Sequence, residues 1–243
     1  MSFYLVKIIL NSYIMESLVT IFDRHSTDKN SSFHNYCRQY DVLLKQFRER
    51  KTIKYLEIGV CNGDSLRAVS ESFPNAELIV GIDINEECKI HENSSKNIFV
   101  EIRNATSDAV IHEITEKYGH FDIILDDGSH YNQDVIATFE LLFPLLNEDG
   151  VYIVEDTICY KLPGYQHPQF PHHLSYFTEY IYYLNQSRYD STDESSIKDH
   201  CIDPFKIEKK SANIFECTID KIEFGCSYIA LFKKTRNHWI TKK

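Results

Sequence analysis

The feature that most constrains the fold is a regular alternation of short apolar runs with amphipathic stretches between residues 54 and 156. Apolar residues in the stretches between these runs recur at helical spacing, which predicts helices at 107–119, with Ser107 as the N-cap, and at 133–146. A rhythm of strand, helix and strand is typical of βαβ units and of a parallel sheet covered on both faces. The five predicted strands are KYLEIGV (54–60), LIVGIDI (78–84), IFVEI (98–102), FDIILDDG (121–128) and GVYIVED (150–156). The residues predicted to form the buried helix faces are Val110, Ile111, Ile114, Tyr118, Val135, Phe139, Leu142 and Leu146.

Near the end of the chain, ECTIDKIEF and SYIALFKK meet around Gly225 and Cys226 and predict an antiparallel hairpin. Together with the five earlier strands, this pattern predicts an α/β, Rossmann-like, doubly wound and mostly parallel seven-stranded sheet that a C-terminal antiparallel hairpin completes.

The flanks suggest two further parts of the chain. Residues 1–50 are expected to form an N-terminal helical segment or lid, interrupted by the polar loop HSTDKNSS (25–32). Residues 51–243 are expected to form the main domain, with a substrate-binding insert at about 157–211. The insert is rich in aromatic residues and long for a simple connection, which is typical of a lid or a binding segment. A helix whose aromatic residues pack on the core is the alternative interpretation, since Phe177, Tyr180 and Leu184 have helical spacing.

Composition excludes some function classes. The net charge of −10 argues against a protein that tracks nucleic-acid phosphates. The seven cysteines form no CxxC pair and are interpreted as reduced thiols of a cytoplasmic protein. Apolar residues 3–10 are interrupted by Lys7 and are too short to span a bilayer, and Met15 is an alternative start.

The first predicted strand ends in a loop with two glycines, Gly59 and Gly63, and Asp83 lies 24 residues after the first of them. Turn glycines allow a ligand to approach the backbone, and an acid at this spacing can bind both ribose hydroxyls of a nucleotide. An ordinary tight turn, with Asp83 capping the next helix, is the structural alternative. The spacing GxxxG departs from the dinucleotide fingerprint GxGxxG, which argues against an NAD-linked oxidoreductase. The polar loop that contains Thr106 is suited to an adenine edge.

Four acids and a histidine follow the next two predicted strands, in DDGSH (126–130) and in Glu155 and Asp156. If the strands are neighbours, these side chains converge, and a divalent cation would relieve their repulsion. Carboxylate ligands suit Mg²⁺, Mn²⁺ or Ca²⁺ better than zinc. Solvated acids with a gap-filling histidine are the alternative interpretation. Asp126 is expected to point to the opposite side of its strand from Asp127, toward a cofactor.

The motifs LEIGVCNGDSL, FPNAELIVGIDI, FDIILDDGSH and LFPLLNEDGVYIVEDT resemble those of class I S-adenosylmethionine-dependent methyltransferases. More narrowly, they resemble the metal-dependent macrolide-sugar O-methyltransferases of the mycinamicin type and the related cephalosporin hydroxylase group. Upstream, HSTDK (25–29), HNY (34–36) and Tyr40 resemble the N-terminal segment of that family, so the resemblance covers residues 25 to about 160.

The resemblance implies roles for the matching positions. It implies His130 as the general base, with Asp127 beside it in the catalytic site, and Mg²⁺ (or Mn²⁺) held by Asp127, Glu155 and Asp156. Its implied S-adenosylmethionine site comprises Glu57, Gly59, Ser65, Asp83 and Asp126, and the loop residues Gly63 and Thr106 are expected to contribute to the same site. The expected function is methyl transfer from S-adenosylmethionine to a sugar hydroxyl, on a nucleotide-linked sugar, a cell-surface polysaccharide or an antibiotic glycoside.

Three other functions remain open from the residues alone. They are an NAD-linked oxidoreductase, a metal-dependent hydrolase that uses the same carboxylates, and a noncatalytic sugar-binding protein. The expected partner is a small sugar or nucleotide-sugar acceptor, with no nucleic acid and no membrane span, and homo-oligomerisation is left open.

Overall fold

The computed structural model describes residues 15–186 and 218–234. Its seven strands form one sheet in the order β3-β2-β1-β4-β5-β7-β6. Strands β1 to β5 are parallel to one another. Strand β7 is antiparallel to β5, and β6 is antiparallel to β7. The predicted fold class is therefore confirmed, including the C-terminal hairpin. The strands are β1 (Ile53–Ile58), β2 (Ala76–Asp83), β3 (Ile98–Ile102), β4 (Phe121–Asp126), β5 (Leu146–Val154), β6 (Ile219–Gly225) and β7 (Tyr228–Lys233).

The helices lie where the apolar spacing predicts them, with one error. Ser107 occupies the N-cap position of α5, although its side chain makes no capping hydrogen bond. Leu146, which was predicted to lie on a helix face, is instead the first residue of β5. Pro144 follows the end of α6 in a short 3₁₀ turn, and its missing N–H prevents the helix from continuing. The helices are α1 (Leu18–Phe22), α2 (Tyr36–Leu43), α3 (Lys45–Arg48), α4 (Asp64–Ser72), α5 (Asp108–Tyr118), α6 (Asn132–Leu142) and α7 (His173–Gln186).

The core has two layers because successive strand residues point to opposite faces of the sheet. In β1, Tyr55 belongs to one apolar cluster and Leu56 to the other. The layer around Tyr55 includes residues of α1 to α4, so the N-terminal helices share a core with the sheet. The division at residue 50 that the sequence suggests remains a prediction.

The described part of the insert contains α7, whose Phe177 and Tyr180 are buried in the other layer. For these two residues the structure agrees with the packing interpretation rather than with contact to a sugar. The apolar run at residues 3–10 and the polar tract at 187–196 lie outside the described residues.

The topology of the sheet indicates where a ligand is expected to bind. The strand order reverses between β1 and β4, and ligands of open parallel sheets bind beyond the carboxyl ends of the strands at such a point.

Within residues 15–186 and 218–234, no helix has the length and apolar character that crossing a bilayer would need. The five cysteines in these ranges are free thiols.

Candidate active site

The loop after β1 is fixed by the carboxylate of Asp83 at the end of β2. Asp83 Oδ2 accepts hydrogen bonds from the backbone N–H groups of Val60 (2.8 Å) and Cys61 (3.1 Å), and Oδ1 accepts one from that of Asn85 (2.9 Å). Burial opposes ionisation, but these donors outweigh it and hold the pKa of Asp83 below its ordinary value. Asp83 therefore fixes the turn, but the N-cap of the following 3₁₀ helix is Asn85 rather than Asp83.

Both glycines of this loop have left-handed backbone and approach other segments closely. Gly59 has φ +88°, and a Cβ there would overlap the backbone carbonyl of Asp127. Gly63 has φ +70°, and a Cβ there would overlap the ring of His91. Glycine is therefore required at Gly59 for the loops after β1 and β4 to pack against each other.

A cleft of about 360 Å³ opens at the carboxyl ends of β1, β2 and β4. Four of the residues assigned to the cofactor line it: Gly59, Asp83, Thr106 and Asp126. Its volume is within the range of small-molecule sites. Arg103 and Asn104, which belong to the polar loop predicted to suit an adenine edge, also line the cleft. The lining residues to which the sequence analysis gave no cofactor role are Ile84, Ser129, Asp134, Val135 and Thr138.

The remaining three predicted cofactor residues, Glu57, Gly63 and Ser65, are not in the cleft lining. Glu57 is fully buried, and its Oε2 accepts hydrogen bonds from Tyr55 Oη (2.9 Å) and Ser65 Oγ (3.0 Å). Its Oε1 has no hydrogen-bond partner among the described residues. The assignment of Glu57, Gly63 and Ser65 to the cofactor stays a prediction. The unpartnered Oε1 of Glu57 is available to accept a hydrogen bond from a ligand.

The burial of Glu57 leads to a prediction about pH. Desolvation raises its pKa from 4.5 to about 7. Because the folded state prefers the protonated acid, the stabilising contribution is present below pH 4.5 and is lost as pH rises through about 7. Glu57→Gln removes this dependence, so the melting temperature of the variant minus that of the wild type should increase from pH 5 to pH 8. The complete pKa shift corresponds to about 3 kcal/mol in the free energy of unfolding. A difference in melting temperature that stays the same from pH 5 to pH 8 would contradict this prediction.

A second group of side chains lies beside the cleft, at the ends of β4 and β5. This acid cluster consists of Asp127, His130, Glu155 and Asp156. The backbone N–H of Glu155 donates to the carbonyl of Asp126 (3.0 Å), which keeps the two strand ends adjacent. His130 Nε2 lies 3.8 Å from Asp127 Oδ1 and 3.6 Å from Asp156 Oδ2. One ligand atom from each of these three residues falls within 4.8 Å of the others, which is compact enough for a metal ion.

Glu155, the third predicted metal ligand, faces a different partner. Lys29 Nζ lies 2.8 Å from Glu155 Oε2 and also pairs with Asp127 Oδ2. Burial raises the pKa of Glu155 to about 7 despite the nearby ammonium. The sequence analysis placed Lys29 in a polar loop and gave it no function, and its motif HSTDK was the signal that could have identified it.

Two residues of the cluster have backbone conformations that are uncommon outside glycine. His130 has φ 60° and Asp156 has φ 50°. Such residues are enriched at functional sites, where the surrounding structure compensates for the strain. For Asp156, Tyr36 is the compensating contact, because its Oη donates to Asp156 Oδ1 (2.7 Å) and accepts from the Asp156 N–H (3.1 Å).

The start of the insert covers the cluster on the side of His130. The Tyr165 ring lies 6.4 Å from the His130 ring and 5.5 Å from the Tyr131 ring, measured between centroids. The buried side chain of Asn132 holds this segment in place, since it accepts from the His167 N–H (2.8 Å). Its amide nitrogen is within hydrogen-bond distance of the carbonyls of His167, Phe170 and Pro171.

Comparison with known proteins finds similarity to methyltransferases. The family profile described as "Methyltransferase domain" matches residues 56–157. Demethylmacrocin O-methyltransferase of Streptomyces fradiae is 32% identical over 149 residues, which are 58% of this chain and 36% of that protein. Mycinamicin VI 2''-O-methyltransferase of Micromonospora griseorubida gives the same identity and coverage. The chain thus spans little more than a third of the length of these curated relatives.

Among solved structures, MycE methyltransferase from the mycinamycin biosynthetic pathway, in complex with Mg and SAH, has a similar fold. The TM-score is 0.77 at 23% identity, over 93% of this chain and 56% of that one. The same enzyme in complex with Mg, SAH and mycinamycin VI gives a TM-score of 0.75 at 24% identity, over 92% of this chain and 55% of that one. These likenesses show that the chain shares the overall fold of that enzyme.

The family profile lies on the strands that carry the glycine loop, the cleft and the acid cluster, and both curated relatives are O-methyltransferases by name. Residues 56–157 of this chain therefore match a methyltransferase domain, and over this region the chain is similar to O-methyltransferases that include the mycinamicin VI enzyme.

Proposed function

We propose that this chain is an O-methyltransferase that moves the methyl group of S-adenosylmethionine to a sugar hydroxyl, with a divalent cation at the acid cluster. One observation carries the proposal. The consecutive residues Asp126 and Asp127 serve two sites, because Asp126 lines the cleft and Asp127 belongs to the acid cluster. A donor bound in the cleft would thus lie next to an acceptor bound at the cluster, as methyl transfer between them requires.

The acid cluster fits a cation such as Mg²⁺ or Mn²⁺. Its oxygen donors are those that hard divalent ions prefer. Neither oxygen of the buried Glu155 has a partner with hydrogen-bond geometry among the described residues, although Oε2 forms the ion pair with Lys29. A buried carboxylate oxygen without a partner is costly, and a bound cation would satisfy it. Asp127, Glu155 and Asp156 would hold the ion.

The residues of the chain suit the proton transfer that this reaction needs. When bound, the dication would stabilise charge on the attacking oxygen and S-adenosylmethionine would supply the methyl group. His130 accepts the proton of the acceptor hydroxyl at Nε2, which lies 3.8 Å from Asp127 Oδ1 and 3.6 Å from Asp156 Oδ2. The segment around Tyr165 covers His130 and limits the access of water.

The acceptor is proposed to be a sugar hydroxyl by analogy with the curated relatives, one of which is named for a rhamnosyl substrate that it methylates at the 2' position. The aromatic rings of Tyr131 and Tyr165 beside His130 suit the apolar face of a sugar ring. A nucleotide-linked or polysaccharide sugar and an antibiotic glycoside remain the candidates.

The experiment is a binding and turnover assay on the full chain. Calorimetry with S-adenosylhomocysteine, with and without Mg²⁺, tests the donor site, and NADH serves as the control ligand for an oxidoreductase. A panel of nucleotide sugars and macrolide glycosides is then incubated with S-adenosylmethionine, and products are sought by mass spectrometry as substrates that have gained one methylene unit. Folded protein that does not bind S-adenosylhomocysteine would overturn the proposal, and binding of NADH in its place would indicate an oxidoreductase.

A further inference from the structure

The N-terminal segment around Lys29 has no part in the reaction described above, yet it reaches the acid cluster. Lys29 lies 98 residues before Asp127 in the sequence, and its side chain is only 2% exposed. Lysine is almost never fully buried unless it is paired with an acid. The structure therefore has a buried cation at the predicted metal site.

The contacts of Lys29 divide the cluster into two sides. Its ammonium pairs with Asp127 Oδ2 and with Glu155 Oε2, while Asp28 Oδ1 lies 3.7 Å away. The other oxygen of Asp127, Oδ1, is the one that lies 3.8 Å from His130 Nε2. One side of the Asp127 carboxylate is thus occupied by a cation of the chain, and the other side is directed to the site of reaction.

The backbone of this segment holds the ammonium in place. The carbonyl of Lys29 accepts a hydrogen bond from the N–H of Cys37 (2.9 Å), in the first turn of α2. The N–H of Lys29 donates to Oγ1 of the buried Thr27 (3.3 Å). Lys29 is therefore fixed at both its backbone and its charged end, which is unlike a lysine on a solvated loop.

The charges show what the ammonium contributes. Asp127, Glu155 and Asp156 carry three negative charges when ionised, and Lys29 reduces the total to two. A single dication then neutralises the cluster. Asp28 is left out of this balance because its side chain is 53% exposed and water screens its charge. Without Lys29, the cluster would keep one uncompensated negative charge after the dication binds and three before it binds, which is costly in a buried site.

We propose that Lys29 is a positioning residue whose ammonium acts as a fixed internal cation. It holds Asp127 and Glu155 together in the absence of metal and leaves the cluster with the charge that one dication balances. This inference rests on the metal site of the proposed function and extends it to a residue that the reaction itself does not use.

The test compares Lys29→Met with the wild type in the full chain. Methionine keeps an unbranched apolar side chain of similar length without the charge. We expect the melting temperature in metal-free buffer to fall by roughly 10 °C, because a buried pair has lost one partner. Millimolar Mg²⁺ should restore more than half of this loss. Mn²⁺, followed by its paramagnetic resonance signal, should bind about tenfold more tightly to the variant, because a like charge has been removed from the site.

Two further variants make the outcome decisive. Lys29→Met combined with Glu155→Gln removes one charge of each sign, and it should recover at least half of the lost melting temperature without metal. Lys54→Met is the matched control, because Lys54 contacts the carbonyl of Tyr118 (3.2 Å) away from the cluster. Its melting temperature should respond to Mg²⁺ as that of the wild type does.

A purely structural role for Lys29 predicts the opposite pattern. The loss in Lys29→Met would then be the same with and without Mg²⁺, the double variant would not recover, and Mn²⁺ would bind more weakly. That result would overturn the inference. None of these measurements contains donor or acceptor, so failure here is distinguishable from failure of the proposed function, which appears as absent binding of S-adenosylhomocysteine to the wild type.

Discussion

Replacing His130 with asparagine should lower the rate of methyl transfer by roughly 10²–10⁴-fold, the usual contribution of a general base. The imidazole is the basic group that lies between the carboxylates of Asp127 and Asp156, at 3.8 Å and 3.6 Å. Asparagine is preferable to alanine in this test, because it tolerates the left-handed backbone at this position, where φ is 60°. The loss therefore reports on the ring rather than on backbone strain.

Binding of the donor should change little in the same variant, because His130 is not part of the cleft lining. The dissociation constant for S-adenosylhomocysteine, measured by calorimetry, is expected to stay within about twofold of the wild-type value. His112→Asn is the matched control, since His112 is highly exposed on α5. A rate for His130→Asn within tenfold of the wild-type rate would show that another group takes the proton.

The sequence predicts the fold and the position of the cleft well, because both depend on local patterns. Short continuous apolar runs predict the strands, and apolar spacing of 3.6 residues predicts the helices. The alternation of side chains along β4 is enough to send Asp126 and Asp127 to different sites. Leu146 was placed wrongly because apolar spacing alone cannot show that Pro144 ends the helix before it.

The parts that could not be predicted depend on contacts between distant segments. Lys29 stands in a run of polar residues and would be expected to face water. Only the fold brings it to Asp127 and Glu155. Likewise, Thr138 was known only as a helix residue, whereas in the structure its hydroxyl donates to Asp126 in the cleft. On the acceptor side, aromatic residues are visible in the sequence, but nothing in it indicates that Asn132 would hold their segment next to His130.

The second large effect is expected from removing the metal site through Asp156. Asp156→Asn should lower the rate of methyl transfer roughly 10²–10⁴-fold, which corresponds to several kcal/mol of lost charge stabilisation. The amide side chain is a poorer ligand than the carboxylate for a hard cation, so Mn²⁺ should also bind at least about tenfold more weakly. Chelation of the wild type with EDTA should abolish the rate, and added Mg²⁺ should restore it.

Asp156→Asn is a demanding test because it changes little else. Asparagine suits the left-handed backbone at this position, and its carbonyl oxygen can still accept the hydrogen bond from Tyr36. The melting temperature should therefore stay within a few degrees of the wild-type value. Asp108→Asn, on the exposed first turn of α5, is the matched control and should leave both the rate and Mn²⁺ binding unchanged. If the wild type remains fully active in EDTA, or if Asp156→Asn binds Mn²⁺ as well as the wild type does, the cation does not act through this acid. His130, with its two carboxylates, would then have to be sufficient for the reaction.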